Sequence, residues 1–507
     1  MPRFAFVTLT FLLTLSLLAA CSPAESEAPT AVGGQPASAS ATPTADPLPP
    51  TAAPTATRPP TAAPVASPTP NLKPSNSSLK PRYTLSAVLD YGWKTLTASE
   101  RVEIPHPGNG DPSEIVLVVP PNGYPGVFQL DSLAWGDGSP VAAYTLDGVR
   151  LTIPLDSPWN LDETRTLSMT FTLNLPPVER GEEFGPNPFG CTSRQVNLTD
   201  WHPFVPPFIE GEWRVHNPWF YGEYLVYPQA DYDVEIRLEN APAGTVIAAS
   251  GLDTGDEAVH RYRVEAARTF VWSVSPEYRV YRREIGEVTL LGYAFPFDAV
   301  GGEAAFDATV EAFELYNQRF GPYPHESLTM VQADFNHGME YDGLYFLSRA
   351  FYNTYDGTAA TYLVSIAAHE TAHQWWFGLV GNDQALEPWL DEALCTFTER
   401  LFYEALHPDA LDWWQAYRVD YYEPQGRVNL SIYDYEGYRP YRDAVYLNGM
   451  NFLTDLRARV GEEAFSAFLQ DYLTRERGKI ATAEDFFAIL RGHSDADLSA
   501  LLARYFR

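Results

Sequence analysis

Two kinds of hydrophobic spacing divide this chain. Between residues 81 and 285 apolar positions alternate with polar ones or run together briefly, as in SEIVLVVPP, TLSMTFTLNLP, VEIRLEN and TFVWSVS, each bounded by Pro, Gly or Asn/Asp. Little there recurs at helical spacing, so the segment reads as β-structure. From about residue 286 the pattern changes to two short strands, SLTMVQADF and GLYFLS, and then to helices reaching Phe506. Thr358 to Phe377 contain no Pro or Gly; Asp356 stands ready to cap, Tyr362, Leu363, Ile366 and Ala367 form an apolar stripe, and Gly378 and Gly381 stop the run. A second helix is expected to open at Pro388 and close near His407-Pro408. No solenoid-type repeat occurs. The expected fold class is α+β, with a β-domain at 81–285 followed by a mainly helical domain at 286–507.

The start of the chain has a different character. Residues 4–20, FAFVTLTFLLTLSLLAA behind Arg3, are too short for a comfortable membrane span and suit a signal-peptide core at 1–20. They end in Leu18-Ala19-Ala20-Cys21, which resembles the lipobox of bacterial lipoproteins. That resemblance implies cleavage before Cys21, lipid attachment to it, and a mature protein tethered extracytoplasmically to a bacterial membrane. An uncleaved anchor would give the same topology. Residues 21–80 are rich in Pro, Ala and Thr, with too little apolar surface to repay ordering, and read as an extended, disordered tether.

Charge narrows the partners. The net charge is −31, and within Ser22–Lys80 three acids (Glu25, Glu27, Asp46) balance three bases (Arg58, Lys73, Lys80), so essentially all of it belongs to the folded part. Such a surface repels nucleic acid and anionic headgroups and favours amine-bearing partners. With Cys21 assigned to lipid, only Cys191 and Cys395 remain; a disulfide between them is open, and neither reads as a nucleophile.

The chemistry concentrates in His369-Glu370-Thr371-Ala372-His373 and Trp389-Leu390-Asp391-Glu392. Residues four apart share a helix face, so His369 and His373 can grip one ion with Glu370 beside it, and Glu392, one turn into the next helix, supplies a third ligand. This set calls for one zinc ion and leaves a fourth position for water. Glu399, seven residues after Glu392, either accepts the free ring N–H of a ligating histidine or stands as an ordinary surface acid.

These motifs resemble the zinc aminopeptidases of the aminopeptidase N type, which include the leukotriene hydrolases (gluzincins). The family spaces His-Glu-x-x-His and Glu by eighteen residues, here 374–391. Gly338-Met339-Glu340-Tyr341 stands where the family has Gly-x-Met-Glu-Asn, and Tyr446-Leu447-Asn448-Gly449 where it has Tyr-x-x-Gly. Tyr341 replaces the usual asparagine, and Asn448 a frequent lysine. The resemblance implies a saddle-shaped antiparallel β-domain roofing a thermolysin-like catalytic domain. It also implies that Glu340 holds the free N-terminus of a peptide substrate and that Tyr446 stabilises the oxyanion. Glu370 would be the general base. Gln195 is a weaker candidate to join Glu340. A thermolysin-like endopeptidase and a non-catalytic cell-surface binding protein on the same fold are the competing readings; the first expects an aspartate where Thr396 stands.

Overall fold

Strands Arg82–Asp90 and Thr95–Pro105 bury every second side chain, Tyr83, Leu85, Ala87 and Leu89 on one and Leu96, Ala98, Val102 and Ile104 on the other. Period-two burial makes one sheet face core and leaves the other to solvent. In the computed structural model, which describes residues 80–178 and 187–507, these two strands lie inside a six-stranded sheet. Its order is His260–Ala267, Ala230–Glu239, Arg82–Asp90, Thr95–Pro105, Thr164–Asn174, Phe128–Trp135. The pairings are antiparallel except for Arg82–Asp90 with Ala230–Glu239, which runs parallel. Three- and four-stranded sheets complete this half around Phe171, Trp201 and Trp272. The signal peptide read at 1–20, Cys21 and, apart from Lys80, the tether at 21–80 lie outside the described residues.

The second half is built on a five-stranded sheet ordered Arg279–Ile285, Val288–Ala294, Ser327–Ala333, Leu344–Ser348, Gly338–Tyr341. Its three inner strands are parallel, and Ser327–Ala333 is buried along its whole length, as a strand covered on both faces must be. Helix Ala299–Phe320 makes the crossover between two of them. Strand Arg279–Ile285 pairs with Val288–Ala294 through Gly286, whose φ is 61°. This strand, which the sequence pattern counted with the β half ending at 285, joins the sheet of the second half: alternation identifies a strand but not the sheet it joins. Helices Tyr362–Ala372, Trp389–Leu406, Gly449–Val460 and Glu462–Arg475 then pack around Trp375, Trp389, Phe452 and Phe486. The whole is α+β. Among the described residues no helix is long and apolar enough to cross a membrane.

A buried arginine joins the halves. Arg268, just after strand His260–Ala267 and 1% exposed, donates to the carbonyls of Tyr227 (2.8 Å), Phe377 (2.6 Å), Gly378 (3.0 Å) and Lys479 (2.8 Å). Its backbone N–H donates to Asp342, which also accepts from His325. Burial lowers the Arg268 pKa to about 10 against the pull of Asp342, so the group stays cationic at neutral pH. Gly381 is required here: a Cβ at that position would stand 2.5 Å from the guanidinium carbon.

Candidate metal centre

The histidine-bearing helix is shorter than its sequence pattern suggests. Thr361 occupies the cap position, while Asp356 binds the N–H and hydroxyl of Thr358 outside the helix. Regular α geometry ends at Ala372, and the chain closes with wider turns, Gly378 N–H to His373 C=O (2.8 Å) and Val380 N–H to Trp375 C=O (3.1 Å). Trp376 and Phe377 leave helical torsions. The physical reason is a tug between two cores: Trp376 packs in the helical half and Phe377 in the β half. Such wide turns recur at functional sites, and Tyr446 lies in another one, Asp443–Asn448.

The break leaves His369 and His373 facing Glu392. Nε2 of His369 lies 3.2 Å from Nε2 of His373 and 3.2 Å from Oε2 of Glu392, which is 3.5 Å from His373 Nε2. All three residues are at most 3% exposed. A tetrahedral zinc with bonds of about 2.0–2.2 Å holds its ligand atoms roughly 3.3–3.6 Å apart, so this donor set fits one. Burial would lower the pKa of His369, but Glu392 and Glu399 outweigh it and raise it to about 9. Burial would likewise raise Glu392, yet the two histidines hold it well below the usual range. A dication entering would displace the shared proton.

Behind His369 stands a filled cage. Glu399, fully buried, accepts from His369 Nδ1 (2.7 Å) and Arg418 Nη2 (2.8 Å) on one oxygen. Its other oxygen takes Ser365 Oγ (2.6 Å), Trp414 Nε1 (3.0 Å) and Arg418 Nε (3.0 Å). Burial opposes its charge, but Arg418 and His369 prevail and hold Glu399 at about 2. The arrangement fixes the tautomer and plane of the His369 ring.

In front the carboxylates crowd. Glu370 lies against Gly338 on the edge strand, where a Cβ would come within 1.9 Å of its Oε1, so only glycine lets the strand approach. Burial raises Glu370 to about 8, with His369 and His373 opposing and Glu340 and Glu392 adding to the rise. Ligand atoms of Glu340, Glu370 and His373 lie within 4.8 Å of one another, as do those of Glu223, Glu340 and Glu392. Gln384 spans Glu340 (2.8 Å) and Asp391 (2.7 Å). The Tyr446 hydroxyl donates to Glu392 Oε1 (2.6 Å), and its ring stacks on His369 at 6.0 Å. Glu223, Glu340, Glu370, Glu392 and Tyr446 line a cleft of about 200 Å³ that continues past His337 to Tyr438 and Arg442.

Glu223, Gln384 and Arg418 were not singled out from the sequence. Glu223 is far from the motif along the chain and Arg418 follows it, while Gln384 lies within the 374–391 spacer; none sits in a recognisable spacing. Gln195 is held elsewhere, by Tyr278, the Gln332 carbonyl and the Asp334 N–H. Cys191 and Cys395 are both free thiols, the latter buried.

Residues 304–505 match the Peptidase family M1 domain. The chain is similar to Leucine aminopeptidase 2 of Emericella nidulans, 32% identical over 27% of this chain and 25% of that protein. It is also similar to Aminopeptidase M1-B of Oryza sativa subsp. japonica, 29% identical over 40% of this chain and 25% of that protein. It thus spans about a quarter of the length of these curated relatives. A solved M1 zinc metallopeptidase from Deinococcus radiodurans, a mutant bound to a Tyr-ser-ala substrate, shares the fold. Its TM-score is 0.58 at 18% identity, covering 84% of this chain and 95% of that one.

Proposed function

From a chain that carries a Peptidase family M1 domain, we propose a zinc aminopeptidase that removes N-terminal residues from peptides. The observation that carries this reading is the crowding of Glu340 and Glu223 beside the His369–His373–Glu392 triad. A zinc ion on the triad would offset part of this negative charge, and a substrate's α-ammonium group would offset the rest while setting the cut after the first residue.

Zinc held by His369, His373 and Glu392 would supply Lewis acidity to the scissile carbonyl and acidify the attacking water. Glu370, pushed up by burial, takes that water's proton and returns it to the departing amine. The Tyr446 phenol, which donates to Glu392 in the resting site, turns its hydrogen bond to the carbonyl oxygen as charge develops there. Glu399 and Arg418 keep His369 oriented throughout. The supporting relatives are named aminopeptidases, and the solved neighbour holds a short peptide.

We place the enzyme on the outer face of a bacterial membrane, anchored through lipid on Cys21, from the Leu18-Ala19-Ala20-Cys21 pattern alone. Radiolabelled palmitate incorporation, lost in Cys21→Ala, tests that part. The activity is tested by metal content and a panel of aminoacyl amides. One zinc per chain with cleavage confined to free amines supports it; cleavage of N-acetylated or internal bonds selects an endopeptidase, and neither metal nor cleavage selects a binding protein.

A further inference from the structure

A second cavity adjoins the metal cleft and shares Gly222, Glu223 and Glu340 with it. Its walls are Tyr224, Leu225 and Tyr227 from the β half and Met339, Tyr341 and Phe377 from the helical half. The charged groups lining it are Glu223, Glu340 and Asp200, with no basic residue among the lining side chains. Asp200 accepts hydrogen bonds from Tyr227, Asn187 and Tyr341, and His202, which does not line the cavity, is the one basic residue among the groups acting on it. Independently, Oε2 of Glu223 is shut off from solvent and has no hydrogen-bond partner. The cavity is therefore short of positive charge at both its mouth and its wall.

Position says which cation belongs where. Glu340 and Glu223 lie where cavity and cleft meet, beside the scissile position, and serve the α-ammonium in the reading above, on which this inference rests. Asp200 is reached by the hydroxyl of Tyr341, the neighbour of Glu340, at 3.3 Å. It thus stands one tyrosine side chain plus a hydrogen bond from the strand bearing Glu340, a reach like that of an extended lysine or arginine. Aromatic walls suit the apolar stem of such a side chain and a guanidinium face alike. An apolar side chain would fill the walls yet pair with none of the cavity's carboxylates, and an acidic one would meet three of them.

We propose that this cavity receives the side chain of the substrate's first residue and selects arginine and lysine, whose cationic end pairs with Asp200. The net charge of −31 adds a long-range pull on such doubly cationic N-termini.

The test uses the full-length, zinc-loaded protein and amides of arginine, lysine, norleucine, alanine and glutamate. The expected result is kcat/KM for arginine and lysine above that for norleucine by roughly tenfold or more, with glutamate the poorest. In Asp200→Asn the lysine-to-norleucine ratio falls to about one. Should that variant not fold, Leu225→Lys, which brings a cation into the cavity wall, collapses the same ratio. Alanine amide cleaved, but arginine and lysine no better than norleucine, overturns the pocket while leaving the aminopeptidase reading intact; so does an Asp200→Asn that lowers every substrate alike. If no amide is cleaved, the aminopeptidase reading fails. Thermal shift then decides the pocket: L-lysine stabilising the protein more than L-norleucine upholds it, and equal shifts overturn it.

Discussion

Glu399 behind the metal centre and Glu223 in front of it are both carboxylates turned inward near one triad, yet their surroundings differ in kind. Glu399 takes five hydrogen bonds, two of them from Arg418, and is held ionised at about 2. Glu223 has an oxygen with no partner, and burial, followed by Glu340 and Glu392, pushes its pKa up. The rear of the site is thus neutralised by the protein itself and acts as a frame. Its front carries carboxylates without such a partner and, in the proposed reading, acts as a receptor. One residue type serves both ends because the chain supplies a guanidinium to one and withholds it from the other.

The largest expected effect lies between the two ends. Glu370→Gln should cut turnover by about 10²- to 10⁴-fold while metal content and melting temperature stay level; undiminished turnover would remove Glu370 from proton transfer. The next effect separates frame from receptor. Arg418→Ala strands a buried Glu399 and should cost about 3–5 kcal/mol in urea unfolding. Glu340→Ala should leave unfolding nearly unchanged while depressing cleavage of free-amine amides far more than of N-acetylated ones. Similar stability losses in the two variants would erase the contrast.

Acid provides a third handle. Glu399 sits at about 2 when folded, against an ordinary 4.5, so the folded chain binds fewer protons in that interval. Its contribution, about 3 kcal/mol, is fully present above pH 4.5 and is lost as pH falls towards 2. Acid unfolding followed by tryptophan fluorescence should be steep in that window for the parent and shallower for Glu399→Gln. The smallest effect belongs to Glu223→Gln. It should raise KM for free-amine substrates several-fold and alter stability by no more than about 1 kcal/mol, in the stabilising direction. A large destabilisation there would make Glu223 part of the frame.

What the sequence reveals about this site follows the reach of local geometry. His369, His373 and Glu370 share one helix, and Glu392 and Glu399 lie two turns apart on the next, so spacing alone assigns them faces. Gly338 and Glu340 are legible only as a short motif on an edge strand, without the reason for the glycine, which is the approach of Glu370 across the fold. Arg418, Gln384 and Glu223 arrive through tertiary packing, and no periodicity announces them. The early end of the histidine helix was hidden for the same cause: nothing local in Trp376-Phe377 forbids helix, and the pull of two cores appears only once both exist. In the β half, alternation identifies strands such as Thr164–Asn174, but the parallel pairing of Arg82–Asp90 with Ala230–Glu239 depends on what lies 149 residues downstream.

Arg268 makes the inheritable unit larger than the chemical one. A gene fragment encoding only residues 304–505 would carry all three metal-binding side chains, yet would strip the carbonyls of Phe377, Gly378 and Lys479 of their shared donor. Such a fragment would also lose strands Arg279–Ile285 and Val288–Ala294 from the sheet under the site, and should not hold its histidines in place. Recombination or grafting that moves this candidate metal centre to another scaffold must therefore bring strand His260–Ala267 and its arginine along.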